Sequence, residues 1–414
     1  MKLKKYKLGE VCTIIPGYAF KSSDFGCGKN WVIKIKDIAP PAINIATADK
    51  VAVTPSDKYK LSKGDYVMAM TGATIGKVGM LQTNISNVFI NQRVCKFVPN
   101  EHICDKTYLY YVLSTQSFKN FILNNIDSKL AQPNIGHPTI YKYSHLFPTC
   151  AKEQKLIASV LHNLDCKIAL NHAINDNLEA MAKQLYDYWF VQFDFPNEEG
   201  KPYKSSGGAM VYNEKLKREI PQGWHCYELN KWLEIKSGFA FKSETYISKG
   251  KFKVVTIKNV QDHHLDTSSC DYVNEIPHGM KEWCSLSVND RLISLTGNCG
   301  RLCIVTEKDL LLNQRVGLLA CNDEYIDYAY LLLSSEEYQT LSNNLAKGAA
   351  QANLSPVDLC KNIAVLPKLD VLEKFNRQIK PIVASYIQND IQIADLTKQR
   401  DELLPLLMNG QASV

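Results

Sequence analysis

Apolar residues in the first third of the chain follow two different periods. The stretches "YVMAMTG" at residues 66–72 and "KVGMLQT" at 77–83 alternate or run apolar around a glycine-rich turn, which predicts a β-hairpin. The stretch "KTYLYYVLSTQSFKNFILNN" at 106–125 instead spaces its apolar residues as a helix does. These patterns predict an α+β fold with mainly antiparallel strands.

Two longer segments, residues 152–190 and 370–408, carry apolar positions that step by four and three. This rhythm predicts a heptad seam between paired helices. The seam positions are Leu164, Ile168, Asn171, Asn175, Leu178, Ala182, Leu185 and Trp189 in the first segment, and Ile382, Tyr386, Asn389, Ile393, Leu396, Arg400, Leu403 and Leu407 in the second. Asn171 and Asn389 occupy equivalent positions, so we expect them to face each other or to flank the point that fixes the register. Two unrelated surface helices are the alternative.

Most of these patterns occur twice, about half the chain apart. The repeated pairs are "GYAFKSSDF" at 17–25 with "GFAFKSETY" at 238–246, "IKIKDI" at 33–38 with "VTIKNV" at 255–260, "DYVMAMTGATIGKVGM" at 65–80 with "DRLISLTGNCGRLCIV" at 290–305, and "INQRV" at 90–94 with "LNQRV" at 312–316. Their order is kept, which indicates one globular unit duplicated with pseudo-two-fold symmetry.

The repeat predicts five segments of the chain. They are a globular copy at 1–150, a long helix at 151–190, a connector at 191–224, a second globular copy at 225–368 and a second long helix at 369–410. The connector is rich in Gly, Pro, Ser and charged residues, and it is long enough to return the chain along the first helix. The two long helices are therefore predicted to lie antiparallel, as a coiled-coil-like pair.

Composition and charge narrow the class of partner. The apolar fraction of 45% and the charged fraction of 22% are typical of a soluble globular protein, and no apolar run is long enough to cross a membrane. Residues 1–150 contain 19 Lys and Arg against 9 Asp and Glu, a net +10, whereas residues 211–368 contain 18 against 19, a net −1. The first copy suits a polyanion such as DNA, with a solvated basic face as the alternative. The 13 scattered cysteines indicate reduced thiols and a cytoplasmic protein.

Motifs for catalysis are not recognisable in the sequence. "TGATIGKV" has three residues between its glycines and Val after Lys77, so it does not match a phosphate-binding loop. No dinucleotide fingerprint, adenine methylase motif, convincing nuclease motif or metal-ligand cluster occurs. We therefore expect a non-catalytic protein that binds no cofactor or metal and holds two recognition units at a set distance.

The repeat and the connector together resemble the specificity subunits of type I restriction–modification systems. The connector "DFPNEEGKPYKSSGGAMVYNEKLKREIPQGW" is the most specific part of this resemblance, and each "AFKS", "TG…G" and "NQRV" also fits the family pattern. One departure is that the first copy begins at "KYKLGEV" without its own "IPQGW". The resemblance implies two target-recognition domains joined by the helix pair, which together recognise an asymmetric two-part sequence in double-stranded DNA.

The resemblance also implies the partners. Two modification subunits, which carry S-adenosylmethionine and the adenine methylase site, would dock on the long helices. Restriction subunits would complete the nuclease. A two-headed scaffold that binds proteins rather than DNA is the alternative function, and the nearly neutral second copy keeps it open.

Candidate DNA-binding residues lie on the repeated motifs. They are Lys21, Lys34, Lys36, Thr74, Lys77 and Arg93 in the first copy, and Lys242, Lys258, Asn298, Arg301 and Arg315 in the second. Lys34, Lys36 and Lys258 fall on segments that read as strands. The recurring Asn-Gln-Arg has three possible roles, which are a structural turn, a phosphate contact or a base contact. Because it is shared by both copies, the first two roles are favoured, and sequence readout is expected where the copies diverge, including the tips 73–77 and 298–301.

One Gln and Asn pair lies near the end of each globular copy. They are Gln132 with Asn134, and Gln351 with Asn353. A turn or capping role is favoured for all four residues.

Overall fold

The computed structural model describes residues 2–126, 133–348 and 352–412. The chain divides into two compact units, Met1–Ala169 with Asp395–Val414 and Leu170–Ala394. Each unit contains one globular copy and part of each long helix, so each is described by itself.

The first unit is built on two small sheets and a strand pair. Its strands are β1 (Leu3–Lys7), β2 (Cys12–Pro16), β3 (Phe25–Ile33), β4 (Ile38–Ala39), β5 (Ala42–Ile43), β6 (Asp49–Val51), β7 (Lys60–Leu61), β8 (Tyr66–Ala69), β9 (Val78–Met80), β10 (Val88–Ile90), β11 (Val94–Pro99) and β12 (Ser144–Pro148). The strand orders are β2-β11-β8-β9-β5-β4, β6-β3-β10-β7 and β1-β12. Most neighbours are antiparallel, whereas β3 with β10 and β5 with β9 are parallel. The predicted hairpin is the β8–β9 pair.

The helices of the first copy are short and pack on the larger sheet. They are α1 (Leu8–Val11), α2 (Lys106–Ser114), α3 (Gln116–Asn124) and α4 (His137–Ile140). The helical stretch predicted over 106–125 is thus two helices. They part at Thr115, whose extended backbone ends α2 and whose hydroxyl accepts a hydrogen bond from the Phe118 amide to begin α3. Tyr108, Leu109 and Phe118 are buried in the core of this unit.

Two long helices follow the globular copies. They are α5 (Ala151–Tyr186), which continues into a π-helical turn at Asp187–Val191, and α9 (Leu369–Met408). No helix in the described ranges combines the length and the hydropathy that a bilayer span requires.

The second unit repeats the topology of the first. Its strands are β13 (Met210–Asn213), β14 (Arg218–Pro221), β15 (His225–Glu228), β16 (Glu234–Ser237), β17 (Phe252–Val255), β18 (Asp271–Val273), β19 (Ser285–Leu286), β20 (Arg291–Ser294), β21 (Leu302–Ile304), β22 (Leu310–Leu312), β23 (Val316–Ala320) and β24 (Ile363–Leu366), and its helices are α6 (Ile326–Ser334), α7 (Glu336–Leu345) and α8 (Pro356–Cys360). The orders β18-β17-β22-β19 and β15-β24 match β6-β3-β10-β7 and β1-β12 strand by strand, and β16-β23-β20-β21 matches the β2-β11-β8-β9 part of the six-stranded sheet. Where the first unit has the β4–β5 pair, the second has the isolated bridge between Val260 and Leu265. The parallel pair recurs as β17 with β22. The predicted α+β duplication is confirmed.

The predicted seam residues lie on the buried side of α5 and α9. The buried ones are Ile168, Asn175, Ala182, Trp189, Tyr386, Ile393 and Leu407, and the half-buried ones are Leu164, Asn171, Leu178, Leu185, Ile382, Asn389, Leu396, Arg400 and Leu403. The buried side is wider than a two-position seam, because Leu161 and Tyr186 also pack against the globular copies of their own units.

Contacts within the second unit show that the long helices run antiparallel. The Asn171 side-chain amide donates to Oε1 of Gln392 at 3.3 Å, and that of Asn175 donates to the Tyr386 carbonyl at 3.4 Å. Of the two alternatives for Asn171 and Asn389, direct facing is therefore wrong, since Gln392 lies opposite Asn171. The other alternative, that the two residues flank the point that fixes the register, stays a prediction. Asn175 is buried, whereas the other polar seam positions, Asn171, Asn389 and Arg400, are half-buried.

The connector is a folded part of the second unit. It forms the β13–β14 hairpin, and its aromatic residues pack with one another. The Phe195 ring stacks on Trp224 at 4.9 Å and on Tyr203 at 4.7 Å between centroids. The composition of this segment predicted a link between domains, whereas its widely spaced aromatic residues build a local core.

A buried ion pair crosses the core of the second copy. Arg291 of β20 donates to Oδ1 of Asp327 in α6 at 2.6 Å, and only 1% and 5% of the two side chains are exposed. Arg291 also donates to Oδ1 of Asn289 at 2.9 Å. At the aligned positions the first copy has Tyr66 and Thr107. A buried charge requires its partner, because removing one member leaves the other desolvated and unpaired.

We predict that Asp327→Ala lowers the free energy of unfolding by about 3–5 kcal/mol. The double change Arg291→Tyr with Asp327→Thr, which copies the first copy, should recover much of that loss. Chemical unfolding followed by tryptophan fluorescence measures both effects. Glu199→Ala, which breaks the exposed pair with Lys201, is the control and should leave the midpoint unchanged. Equal midpoints for Asp327→Ala and Glu199→Ala would contradict the prediction.

Candidate nucleic-acid interface

In each copy, one tight turn carries the chain from one sheet to the other. It is the recurring Asn-Gln-Arg-Val, which joins β10 to β11 and β22 to β23. The Val94 amide donates to the Asn91 carbonyl at 2.8 Å, and the Val316 amide donates to the Asn313 carbonyl at 2.9 Å. We call these residues, 91–94 and 313–316, the crossing turns.

The asparagine of each crossing turn has a structural role. The Asn313 side chain accepts from the Arg315 amide at 3.2 Å, and Asn91 accepts from the Arg93 amide at 3.4 Å. Such Asx contacts stabilise tight turns. The Gln and Arg side chains that follow are exposed in both copies. The structural role favoured by the sequence therefore describes Asn91 and Asn313, while the Arg residues are presented at the surface.

The "GYAF" and "GFAF" segments lie directly on the crossing turns. Tyr18 donates its amide to the Ile90 carbonyl and accepts from the Gln92 amide, both at 2.9 Å. A Cβ at Gly17 would lie 2.2 Å from the Asn91 carbonyl oxygen, and one at Gly238 would lie 2.3 Å from that of Leu312. Only glycine allows this approach. The packing brings the exposed Lys21 and Lys242 to the vicinity of each turn.

The hairpin tip of each copy also meets the crossing turn. The Met70 amide donates to the Arg93 carbonyl at 2.9 Å, and the Leu295 amide donates to that of Arg315 at 3.0 Å. Thr74 and Lys77 belong to the first tip, where Lys77 is exposed. Thr74 is half-buried, and its hydroxyl has no hydrogen-bond partner among the described residues.

In each copy, a further loop closes against the hairpin tip. The Gly72 amide donates to the Pro133 carbonyl at 3.0 Å, and the Gly297 amide donates to the Ala352 carbonyl at 2.9 Å. Thr71 and Thr296 form β-bridges with Asn134 and Asn353. Asn134 and Asn353 thus pair with the tips through β-bridges, and the turn or capping role favoured for them stays a prediction. Gln132 and Gln351 lie outside the described residues.

Lys34, Lys36 and Lys258 do not lie on strands as predicted. They follow β3 and β17 in turns that a side chain caps, because Asp37 accepts from the Lys34 amide and Asn259 accepts from the Thr256 amide, both at 2.8 Å. The capping Asp and Asn stop the strand pairing that the alternating pattern indicated.

The capped turns still reach the candidate surface. A Cβ at Gly72 would lie 3.4 Å from Ile35, and one at Gly297 would lie 3.6 Å from Ile257. The tips therefore adjoin the turns that bear Lys34, Lys36 and Lys258.

Charge pairing differs among these lysines. Asp49 lies 2.8 Å from the Lys34 Nζ and 3.3 Å from the Lys36 Nζ. The hydrogen bond from Lys34, together with the charge of Lys36, lowers the pKa of the Asp49 carboxyl. Part of the positive charge at this turn is thereby neutralised. Lys258 is exposed in the second copy.

The arginines of the second copy contact neighbouring side chains. Arg315 donates to the Thr296 hydroxyl at 3.4 Å, and that hydroxyl donates to the Asn353 side chain at 3.1 Å. Arg301 donates to Oε1 of Gln261 at 2.9 Å, and its Nε lies 3.3 Å from Asp262. Asn298 is exposed at the same tip. The sequence analysis placed Asp262 in a segment where the two copies diverge, 40–60 against 262–282, but it did not connect Gln261 and Asp262 with Arg301, because they lie 40 and 39 positions before it.

Each copy therefore assembles the same five segments at one place. They are the "AFKS" segment, the capped turn, the hairpin tip, the crossing turn and the loop that closes against the tip. All eleven predicted DNA-binding residues fall on four of these segments. The surface presents lysines, arginines and amides, which are groups that contact phosphates and base edges.

Known proteins share this architecture. The model of a family described as the type I restriction modification DNA specificity domain matches residues 2–180 and 221–398. A type I restriction enzyme specificity subunit of Methanocaldococcus jannaschii, MjaIX, is 27% identical and aligns over 95% of this chain and 96% of its own. The HindI specificity subunit of Haemophilus influenzae is 22% identical and aligns over 99% of both chains.

A solved structure shows the same fold. It is the crystal structure of the type I restriction-modification S subunit from M. genitalium, with a TM-score of 0.60 and 17% sequence identity, and the match covers 98% of this chain and 96% of that one. The expected architecture of two repeated domains is confirmed.

These matches decide between the functions that the sequence left open. The relatives are named specificity subunits, and the family is described as a DNA specificity domain. The protein is a DNA-recognition subunit without catalytic activity of its own, and the alternative of a protein-binding scaffold is wrong. With both copies matched over more than half of its length, the chain belongs to the family of type I restriction modification DNA specificity domains.

Proposed function

We propose that this chain recognises an asymmetric two-part DNA sequence, with one part read by each globular copy. The observation that carries the proposal is the five-segment surface. Its backbone contacts recur in both copies, whereas the side chains at the tips differ, Thr74 and Lys77 against Asn298 and Arg301. Two copies with the same backbone arrangement but different side chains at the tips would recognise different base sequences.

Positioning and readout would fall to different residues. Lys21 and Lys242 occupy the same place on the shared "AFKS" segment, and Arg93 and Arg315 do so on the crossing turns. Because both copies use these groups on different sequences, their role would be to contact phosphate, which sets the position without specifying bases. The tips and the segments that diverge would then contact base edges in the major groove.

The partners would be two modification subunits and, in the complete complex, restriction subunits in the cytoplasm. S-adenosylmethionine would be bound by the modification subunits and not by this chain. A surface on α5 fits a protein partner. Leu170, Ile174 and Met181 are 60%, 37% and 52% exposed, and they lie together on one flank of the helix, beside the buried seam. We call these three residues the α5 stripe and assign it to contact with a modification subunit.

Methylation mapping tests the recognition function. We expect the chain, expressed with the modification subunit of its own system, to direct adenine methylation to one asymmetric motif in two parts. The isolated chain should transfer no labelled methyl group from S-adenosylmethionine. A single uninterrupted motif, or methyl transfer by the chain alone, would overturn the proposal.

We predict that Lys77→Ala weakens binding to all DNA sequences by a similar factor. An exposed lysine that contacts one phosphate releases about one counterion, so the slope of log K against log salt should fall by about one. Titration of the complex with labelled duplexes at several salt concentrations measures this slope. Glu199→Ala, in the connector, is the control with an unchanged slope. A changed base preference with an unchanged slope would reassign Lys77 to base readout.

We predict that Leu170→Ser with Met181→Ser reduces association with the modification subunit. Burial of a Leu or Met side chain contributes about 1.5–3 kcal/mol, so loss of both should weaken association at least tenfold. Analytical ultracentrifugation of the purified subunits measures the dissociation constant. Gln388→Ser, at an exposed polar position of α9, is the matched control and should leave it unchanged. Equal dissociation constants for the double variant and the control would exclude the α5 stripe.

A further inference from the structure

Arg301 is oriented by two acceptors from a different segment of the second copy. Its Nη1 donates to Oε1 of Gln261 at 2.9 Å, and its Nε lies 3.3 Å from Oδ1 of Asp262. Gln261 is fixed in turn, because its side-chain amide donates to the Lys258 carbonyl at 2.6 Å. The backbone is held as well, since the Arg301 amide donates to the Ser294 hydroxyl at 3.0 Å. Both ends of this side chain are thus restrained.

The remaining edge of the guanidinium points to the exposed tip. With the Asn298 amide oriented so that Oδ1 faces Arg301, this oxygen lies 3.2 Å from both Nη1 and Nη2. The terminal edge of Arg301 is therefore presented to one acceptor, on a side chain that is itself exposed. Guanine offers two acceptors, O6 and N7, to such an edge in the major groove.

The first copy supplies an internal comparison. Lys77 stands there in place of Arg301, after the same tip glycine, and Ala39 and Pro40 stand in place of Gln261 and Asp262. The capping turns fix this correspondence, because Asn44 donates its amide to the Asp37 carbonyl as Asp266 does to that of Asn259, both at 2.8 Å. The two acceptors thus accompany the arginine and are absent beside the lysine.

An acidic residue at this position opposes simple phosphate binding. Asp262 removes positive charge from a copy whose net charge is already −1 over residues 211–368. For a phosphate contact this lowers attraction, as like charges repel. For a base contact the same carboxylate is favourable, because it holds the planar guanidinium in one orientation and so lowers the entropy lost on binding.

We propose that Arg301 reads a guanine in the half-site of the second copy, with Gln261 and Asp262 as positioning residues. The Nη1 and Nη2 edge donates to guanine O6 and N7 after Asn298 moves aside. None of the described residues restrains Lys77 in this way, and its flexible ammonium suits a phosphate in the other half-site. This assignment rests on the proposed function, since it requires that each copy reads its own part of the sequence.

The test uses the complex of this chain with its modification subunit and duplexes carrying the mapped motif. Each G·C pair of both half-sites is replaced in turn, and dissociation constants are measured for the wild type and for Arg301→Lys, Asp262→Asn and Lys77→Arg. For the wild type we expect one G·C pair whose replacement costs roughly 5- to 140-fold in affinity, the range for a bidentate arginine contact. Arg301→Lys should abolish most of that discrimination while the other positions keep theirs.

Asp262→Asn separates positioning from structural support. It should reduce discrimination at the same base pair, and it should leave or raise affinity for unrelated DNA, because a negative charge is lost. A variant that merely unfolds the tip would lose affinity for every duplex. Lys77→Arg is the matched control in the other half-site, and it should not alter discrimination at the pair assigned to Arg301.

Three outcomes overturn the assignment. The first is full discrimination by Arg301→Lys at every pair. The second is a uniform loss of affinity in Arg301→Lys, which makes Arg301 a phosphate contact. The third is that Arg301→Lys and Lys77→Arg change discrimination in the same half-site, which puts both residues on that half-site. A wild-type complex without any sequence preference overturns the proposed function itself, and this result differs from the others because it precedes all variants.

Discussion

The crossing turn is the constraint on which each globular copy depends. Four residues take the chain from one sheet to the other, and their backbone groups bind the glycine segment on one side and the hairpin tip on the other. The Asn side chain stabilises the turn, and the nearby glycine leaves room for the approach. Any distortion there would move the strand ends, the tip and the "AFKS" segment together. This accounts for the occurrence of Asn-Gln-Arg-Val in both copies.

The division between frame and tip follows from the chemistry of these contacts. The frame is held by backbone hydrogen bonds, which are independent of most side chains, so it recurs in both copies. Side chains at the tips and in the segment after each capped turn are then able to differ without loss of the fold. Arg301 with Gln261 and Asp262 on one copy, against Lys77 with Ala39 and Pro40 on the other, shows such a difference across two segments.

Charge is distributed unequally between the two copies. The first copy has a large excess of lysines, although Asp49 and Asp65 each pair with two of them. The second copy is nearly neutral and places an ion pair, Arg291 with Asp327, in its core, while Arg301 and Arg315 are held by neighbouring side chains. Under the proposed function, non-specific attraction to DNA would therefore fall mainly to the first copy, and the second would rely on restrained donors.

The sequence by itself determined the duplication, the α+β class, the hairpins and the two long helices. These features depend on local and periodic patterns. The repeated motifs keep the same order in both halves of the chain, which a chance similarity would not produce. The sequence also placed the DNA-binding candidates on segments that the fold brings together, because these segments are the repeated ones. Only the tertiary structure decided the partners of individual side chains. Asn171 meets Gln392 rather than Asn389, Lys34 and Lys36 lie in a capped turn, and Arg301 meets Gln261 and Asp262 from 40 and 39 residues away. Such pairings depend on register and on side-chain caps between distant segments, and neither composition nor periodicity encodes them.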